Sequence, residues 1–115
     1  MYKPINGFTK QSILDVIAAR PFEERSVYAS GGCAYIAPDG NRCAVGLFLP
    51  DKYEDSVGSS VLGVRALLDK FEYLKQKMPL PTDALAALQL THDSTSKQGN
   101  AKQRMLDWVK ANVED

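Results

Sequence analysis

The chain has 115 residues, a usual length for one folded domain, and we expect a single domain over residues 1–115. Acidic and basic side chains number 14 each, so the formal net charge is zero. This balance argues against a nucleic-acid-binding protein, since such proteins usually carry a basic excess that neutralises phosphates.

The first residues contain no apolar stretch typical of a signal peptide, and no apolar run in the chain is long enough to span a membrane. We therefore expect a cytoplasmic protein without membrane association, located in the host cytoplasm if a phage encodes it. In that reducing compartment the two cysteines are expected to remain thiols.

Four stretches of the sequence predict helices. The first covers residues 9–20, with Thr9 as N-cap, and Pro21 ends it. A second helix is predicted over residues 61–78 from a stripe of period 3.6, and a third over residues 82–92 with Thr82 as its cap. Asn100 and Gln103 resemble a capping box for a last helix that ends near residue 113. The apolar stripe of the second helix consists of Val64, Leu67, Leu68, Phe71 and Leu74.

Residues 33–49 predict a β-hairpin. Residues 33–37 form a short β-prone run, residues 38–41 have turn chemistry, and residues 42–49 form the returning strand. With this turn Ala37 would face Arg42, and Ile36 would face Cys43. Gly46 inside the second strand indicates a bulge or a close approach of the backbone.

The predicted fold class is therefore α+β, with about four helices packed on a small antiparallel sheet. Two strands come from the hairpin, and residues 27–29 are a candidate third strand. Helices must cover this sheet, because an isolated hairpin is only marginally stable in water.

Cys33, Cys43 and the single histidine, His92, are the candidates for catalysis or metal binding. Side chains alternate across a strand, so the two cysteines would point to opposite faces and form no disulfide. A zinc ion bound by these three residues would need a fourth ligand such as Asp93. We expect no metal or other cofactor. A cysteine nucleophile would need His92 as its base. Adjacent side chains on a helix point in different directions, so Asp93 is poorly placed to orient the His92 ring. We favour the interpretation that both cysteines are small buried hydrophobic residues.

Four residues at loops and helix ends are the predicted ligand-binding set. Gln89 and His92 lie one helical turn apart and could present polar groups to a common pocket. Tyr35 and Arg42 flank the predicted turn and could stack on a ring. A serine-rich stretch at residues 56–60, with Arg65 one turn later, could bind an anion, although a plain helix cap is the favoured interpretation there.

The chain also resembles a known family. The residues that carry the resemblance are Cys-Ala-Tyr at 33–35, Pro-Asp-Gly at 38–40, Cys-Ala-Val-Gly at 43–46, Leu-Pro-Asp at 49–51, Tyr53, Leu-Gln at 88–89 and His-Asp at 92–93. They are similar to a family of small uncharacterised proteins from proteobacterial, plasmid and phage genomes. Ile36 replaces an arginine that is frequent in the family, which weakens an anion-binding role for the hairpin. The resemblance implies a phage or mobile-element origin and supplies no activity.

Three functions are compatible with these features. The favoured one is a non-enzymatic accessory protein that binds a host protein or a small signalling ligand and could counter host defence. The second is an enzyme that uses Cys33 or Cys43 with His92. The third is a structural protein that self-assembles as a homo-oligomer without a ligand. No complete set of nucleophile, base and orienter is recognisable, which favours a protein that is not an enzyme.

Overall fold

Four α-helices and two 3₁₀ helices form the part of the chain that the computed structural model describes, namely residues 1–24, 26, 35–37, 39–50, 63–94 and 100–115. The α-helices are α1 (Lys10–Ala18), α2 (Val64–Lys70), α3 (Thr82–Asp93) and α4 (Ala101–Asn112). The 3₁₀ helices are Gly46–Phe48 and Glu72–Lys77. No β-strand occurs in these residues, so the predicted α+β class is wrong for the described chain.

The α-helices pack in the spatial order α2, α3, α4, α1, because α3 contacts both α2 and α4, and α4 also contacts α1. The core consists of apolar side chains from all four helices and from the segment 43–49. Its fully enclosed members include Ile13, Ile17, Cys43, Ala44, Val45, Leu67, Leu74, Leu85, Leu88, Met105 and Val109. No helix of the described residues has both the length and the apolar character needed to cross a membrane.

Helix α1 begins where the sequence predicts. The Thr9 hydroxyl accepts the Ser12 N–H at 3.1 Å, and the Ser12 hydroxyl accepts the Thr9 N–H at 2.8 Å. This capping box satisfies backbone donors at the helix start. The helix ends at Ala18, two residues before the predicted end, and Arg20 follows it as a buried side chain.

The predicted helix over residues 61–78 is divided in two. Phe71 has φ −118° and ψ 67°, which ends α2, and the chain continues as the 3₁₀ helix Glu72–Lys77. The predicted apolar stripe is nevertheless buried along its whole length. The hydrophobic period thus identified the buried face, whereas it could not distinguish one long α-helix from an α-helix followed by 3₁₀ turns.

Helices α3 and α4 occupy the predicted places but begin without the predicted caps. Pro81 is the N-cap residue of α3, and Thr82 is its first helical residue. Asn100 precedes α4 without a side-chain cap hydrogen bond.

The predicted β-hairpin is wrong as well. A tight turn is present, because the Gly40 N–H donates to the Ala37 carbonyl at 2.9 Å and Gly40 has φ +89°. Among the described residues one antiparallel bridge follows, and it joins Ile36 to Arg42 rather than to Cys43. Residues 43–45 are fully buried without alternation, and the chain then coils into the 3₁₀ helix Gly46–Phe48. A short, continuously apolar run fits a buried strand and a buried coil equally well, so its sequence did not separate the two.

Several predictions fall on residues that the structure does not describe. These are the candidate third strand at residues 27–29, Cys33, Tyr53 and the serine-rich stretch at residues 56–60.

Candidate functional site

A cluster of polar side chains lies inside the molecule between the end of α1, the turn at residues 39–41 and the last turns of α3. We call it the polar cluster. Its members are Arg20, Ser26, Asn41, Gln89, His92 and Asp93, of which all except Asp93 are buried. Buried polar groups are costly unless they form hydrogen bonds, so the partners of each member determine what the cluster can do.

His92 is fully buried, and both of its ring nitrogens have partners. Nε2 accepts the backbone N–H of Ser26 at 3.3 Å, while Nδ1 lies 2.8 Å from Oδ1 of Asp93. Since Nε2 is an acceptor, the hydrogen bonds assign the ring proton to Nδ1, which donates it to the Asp93 carboxylate. The prediction that Asp93 points away from His92 is therefore wrong. Asp93 is the last residue of α3, where its side chain can turn back toward the preceding ring.

Arg20 is held by neutral acceptors. Its Nε and Nη2 donate to Oδ1 of Asn41 at 3.2 and 2.8 Å, and Nη2 also donates to the Glu24 carbonyl. Nη1 is buried and has no hydrogen-bond partner among the described residues. Burial lowers the pKa of the Arg20 guanidinium, although the carboxylates of Glu23 and Glu24 oppose this shift. These contacts join the end of α1 to the turn.

Gln89 connects α3 to the segment 43–49. Its Oε1 accepts the Val45 N–H at 3.2 Å, and its Nε2 donates to Oδ1 of Asp93 at 2.9 Å. One carboxylate oxygen of Asp93 therefore receives hydrogen bonds from both Gln89 and His92. The cluster thus orients the Asp93 carboxylate, which remains 30% exposed.

The predicted ligand-binding residues do not form one common site. Tyr35 is buried in the core, and its carbonyl accepts the Cys43 N–H at 3.1 Å. Arg42 is half-buried, and its Nη1 donates to the carbonyls of Gly46 and Leu49 at 3.2 and 3.3 Å, which caps the 3₁₀ helix. Gln89 and His92 belong to the polar cluster.

Cys43 is enclosed in the core and its sulfur accepts the Gly46 N–H at 3.3 Å. Burial raises the pKa of the Cys43 thiol to about 12; the Gly46 N–H lowers the pKa, and the Asp93 carboxylate raises it. A nucleophilic cysteine needs its thiolate, which this environment disfavours. Among the described residues, no group of three or more His, Cys, Asp or Glu side chains is arranged to hold a metal ion.

An open groove lies between the first turn of α2 and the outer face of α3. Its volume is about 430 Å³, and it is lined by Gly63, Val64, Arg65, Ala66, Ala86, Gln89, Leu90 and Asp93. Leu90 is 69% exposed there, and the oriented carboxylate of Asp93 stands at one end. We call this feature the α2–α3 groove.

No sequence pattern described above predicts this groove. The α3 residues that line it recur at positions 86, 89, 90 and 93, a helical spacing that defines a second face beside the core face of Leu85 and Leu88. The exposed apolar Leu90 on that face was the available signal, but the opposing wall of the groove depends on how α2 packs.

No protein-family model matches the chain, and neither a curated protein nor a solved structure shows significant similarity to it. Its function is therefore inferred from the geometry of the described residues.

Proposed function

We propose that the protein is a non-enzymatic binding module and that the α2–α3 groove is its ligand site. The observation that carries this proposal is the groove itself. Its volume of about 430 Å³ lies in the range of small-ligand sites. Its walls are mostly apolar, and a few polar groups, Arg65, Gln89 and Asp93, stand among them. This composition is typical of sites where apolar contact supplies affinity and a few polar groups fix the ligand's orientation.

The polar cluster supports a binding role over an enzymatic one. A histidine that acts as a general base must reach the reacting proton through a ring nitrogen with an available lone pair. The Nε2 lone pair of His92 already accepts the Ser26 N–H inside the core, and the Cys43 thiol holds its proton strongly. In this proposal His92 and Cys43 stabilise the fold, and the cluster serves function by fixing Asp93 at the end of the groove.

The proposed ligand is a small molecule or a short segment of a host protein. The sequence resemblance to phage and plasmid proteins favours an accessory role in a host cell, and the groove is the surface that would serve it.

Filling the groove tests this function. Ala86 lines the α3 wall, so Ala86→Trp should place an indole in the space that a ligand needs. Ala111, an exposed alanine near the end of α4, provides the matched control Ala111→Trp. A set of small organic probes is titrated into each protein, and amide NMR signals are followed. We expect saturable shifts at Ala66 and Leu90 in the wild type and in Ala111→Trp, and none in Ala86→Trp.

Two outcomes would contradict the proposal. One is that no probe shifts the groove signals of the wild type. The other is that the same signals shift on raising the protein concentration alone, which would identify the groove as a self-association surface.

A further inference from the structure

Arg20 is a buried cation that is held by uncharged partners. Its side chain is 2% exposed, and Nε and Nη2 donate to the Asn41 side chain and to the Glu24 carbonyl. Nη2 also lies 3.5 Å from Nε2 of His92. None of the ion pairs among the described residues includes Arg20. Since a guanidinium stays protonated in proteins, this positive charge is buried without an anion in contact with it.

Two acidic residues follow Arg20 closely in the sequence, but their carboxylates form no ion pair with its guanidinium. Oε1 of Glu23 lies 3.7 Å from Nζ of Lys102, and the Glu23 side chain is 60% exposed. Glu24 is exposed as well. Water screens carboxylates in such positions. Desolvation therefore outweighs their attraction, and the pKa of the Arg20 guanidinium stays below its ordinary value.

Nη1 is the part of the guanidinium that has no hydrogen bond. It is buried, and neither of its two N–H groups has a partner among the described residues. Leaving a buried donor unpaired costs free energy, and the cost is larger when the donor belongs to a charged group. The uncompensated charge and the two unpaired N–H groups both favour an anionic acceptor at this atom.

The chain that follows Arg20 lies at the surface. Pro21, Glu23 and Glu24 are exposed, and residues 21–24 follow the end of α1 without helix or strand. The Glu24 carbonyl accepts from Nη2, so this segment covers one edge of the guanidinium. Short exposed segments without regular structure open locally at a small free-energy cost. A movement of residues 21–24 would therefore give a small solute access to Arg20.

We propose that Arg20 forms a second binding site, which takes the carboxylate group of a small molecule through the two N–H groups of Nη1. A carboxylate matches the planar guanidinium, and its single negative charge balances the single positive charge of Arg20. A dianion would leave one buried charge unbalanced. This site goes beyond the proposed function, because the lining of the α2–α3 groove does not include Arg20.

Acetate is the probe for this site. It is titrated into the full chain at pH 7, where it replaces chloride at constant ionic strength, and the ¹⁵N–¹H signals of the Arg20 guanidinium are followed by NMR. We expect a saturable shift of the Nη1 signals with a dissociation constant on the order of 10 mM. Sulfate titrated in the same way should bind at least about tenfold more weakly, because it carries a second charge into the buried site.

A pair of variants assigns the acetate response to Arg20. Arg20→Gln removes the charge and Nη1, while Arg104→Gln makes the same change at an exposed arginine on α4 and is the matched control. The backbone amide signals of Glu24 and Asn41 report on binding in all three proteins. They should shift with acetate in the wild type and in Arg104→Gln, and remain unchanged in Arg20→Gln.

Three results would overturn the inference. The first is that acetate causes no saturable shift of the guanidinium signals in the wild type. The second is equal affinity for acetate and sulfate, and the third is an acetate response that persists in Arg20→Gln. If Arg20→Gln does not fold, the comparison of acetate with sulfate on the wild type decides.

Discussion

Replacing Gly46 by alanine is expected to destabilise the fold by about 3 kcal/mol. A β-carbon at Gly46 would overlap the carbonyl oxygen of Tyr35, and it would lie 3.0 Å from the carbonyl carbon of Tyr35 and 3.2 Å from Cβ of Arg42. The closest of these atoms belong to the backbone, which is held by the Cys43 N–H bond to the Tyr35 carbonyl. The added methyl group therefore cannot be accommodated by a simple side-chain rotation.

Urea unfolding measures this effect as a lower midpoint at unchanged slope. Gly63→Ala is the matched control, because a β-carbon at Gly63 has no atom within 4 Å. The control should change the free energy of unfolding by no more than about 1 kcal/mol, because Gly63 is the N-cap residue of α2, where alanine is less favourable than glycine. Equal midpoints for the two variants would show that the segment 43–49 does not pack against residues 35–37 as described.

Alkaline pH is expected to remove about 4 kcal/mol of stability through Cys43 alone. The pKa of its thiol is about 12 in the folded chain against an ordinary value of 9.0. Between pH 9 and 12 the unfolded chain therefore loses this proton while the folded chain keeps it. The thiol's contribution is complete below about pH 9 and is lost as the pH rises toward 12, at about 1.4 kcal/mol per pH unit.

The measurement compares the wild type with Cys43→Ala over that pH range. Other groups also titrate there, so the informative quantity is the difference between the two free energies of unfolding. This difference should be constant below pH 9 and then shift against the wild type as the pH rises. Parallel curves up to pH 12 would mean that Cys43 is not enclosed.

The helices were largely predictable because each depends on local signals. The Thr9 cap and the apolar stripe from Val64 to Leu74 located α1 and the buried face of α2. Arg20, three residues after Ile17, is buried just beyond the end of α1. Gly46 was expected at a close backbone approach, which its contact with Tyr35 confirms, although in a 3₁₀ helix rather than a strand.

The structure of residues 42–49 and the groove depend on tertiary contacts that local sequence patterns do not specify. A strand was predicted for residues 42–49, yet residues 43–46 and 48–49 are buried without alternation, and the chain follows a compact coil there. The groove requires two helices distant in sequence to meet, and no pattern within either helix specifies that contact. Gln89 and His92 were recognised as neighbours one turn apart, but their contacts with Val45 and Ser26 are set by the tertiary fold.

We infer that His92, paired with Asp93, is a fixed part of the core and that ligand binding takes place in the adjacent groove. Because the chain has one histidine, ¹⁵N NMR of the imidazole reports on this pair without overlap from another residue. At neutral pH we predict a neutral ring with the proton on Nδ1 and the lone pair on Nε2, and ligand binding in the groove should leave this tautomer and this charge unchanged. A proton on Nε2, or a ring that changes its tautomer or its charge when a ligand binds, would contradict this assignment.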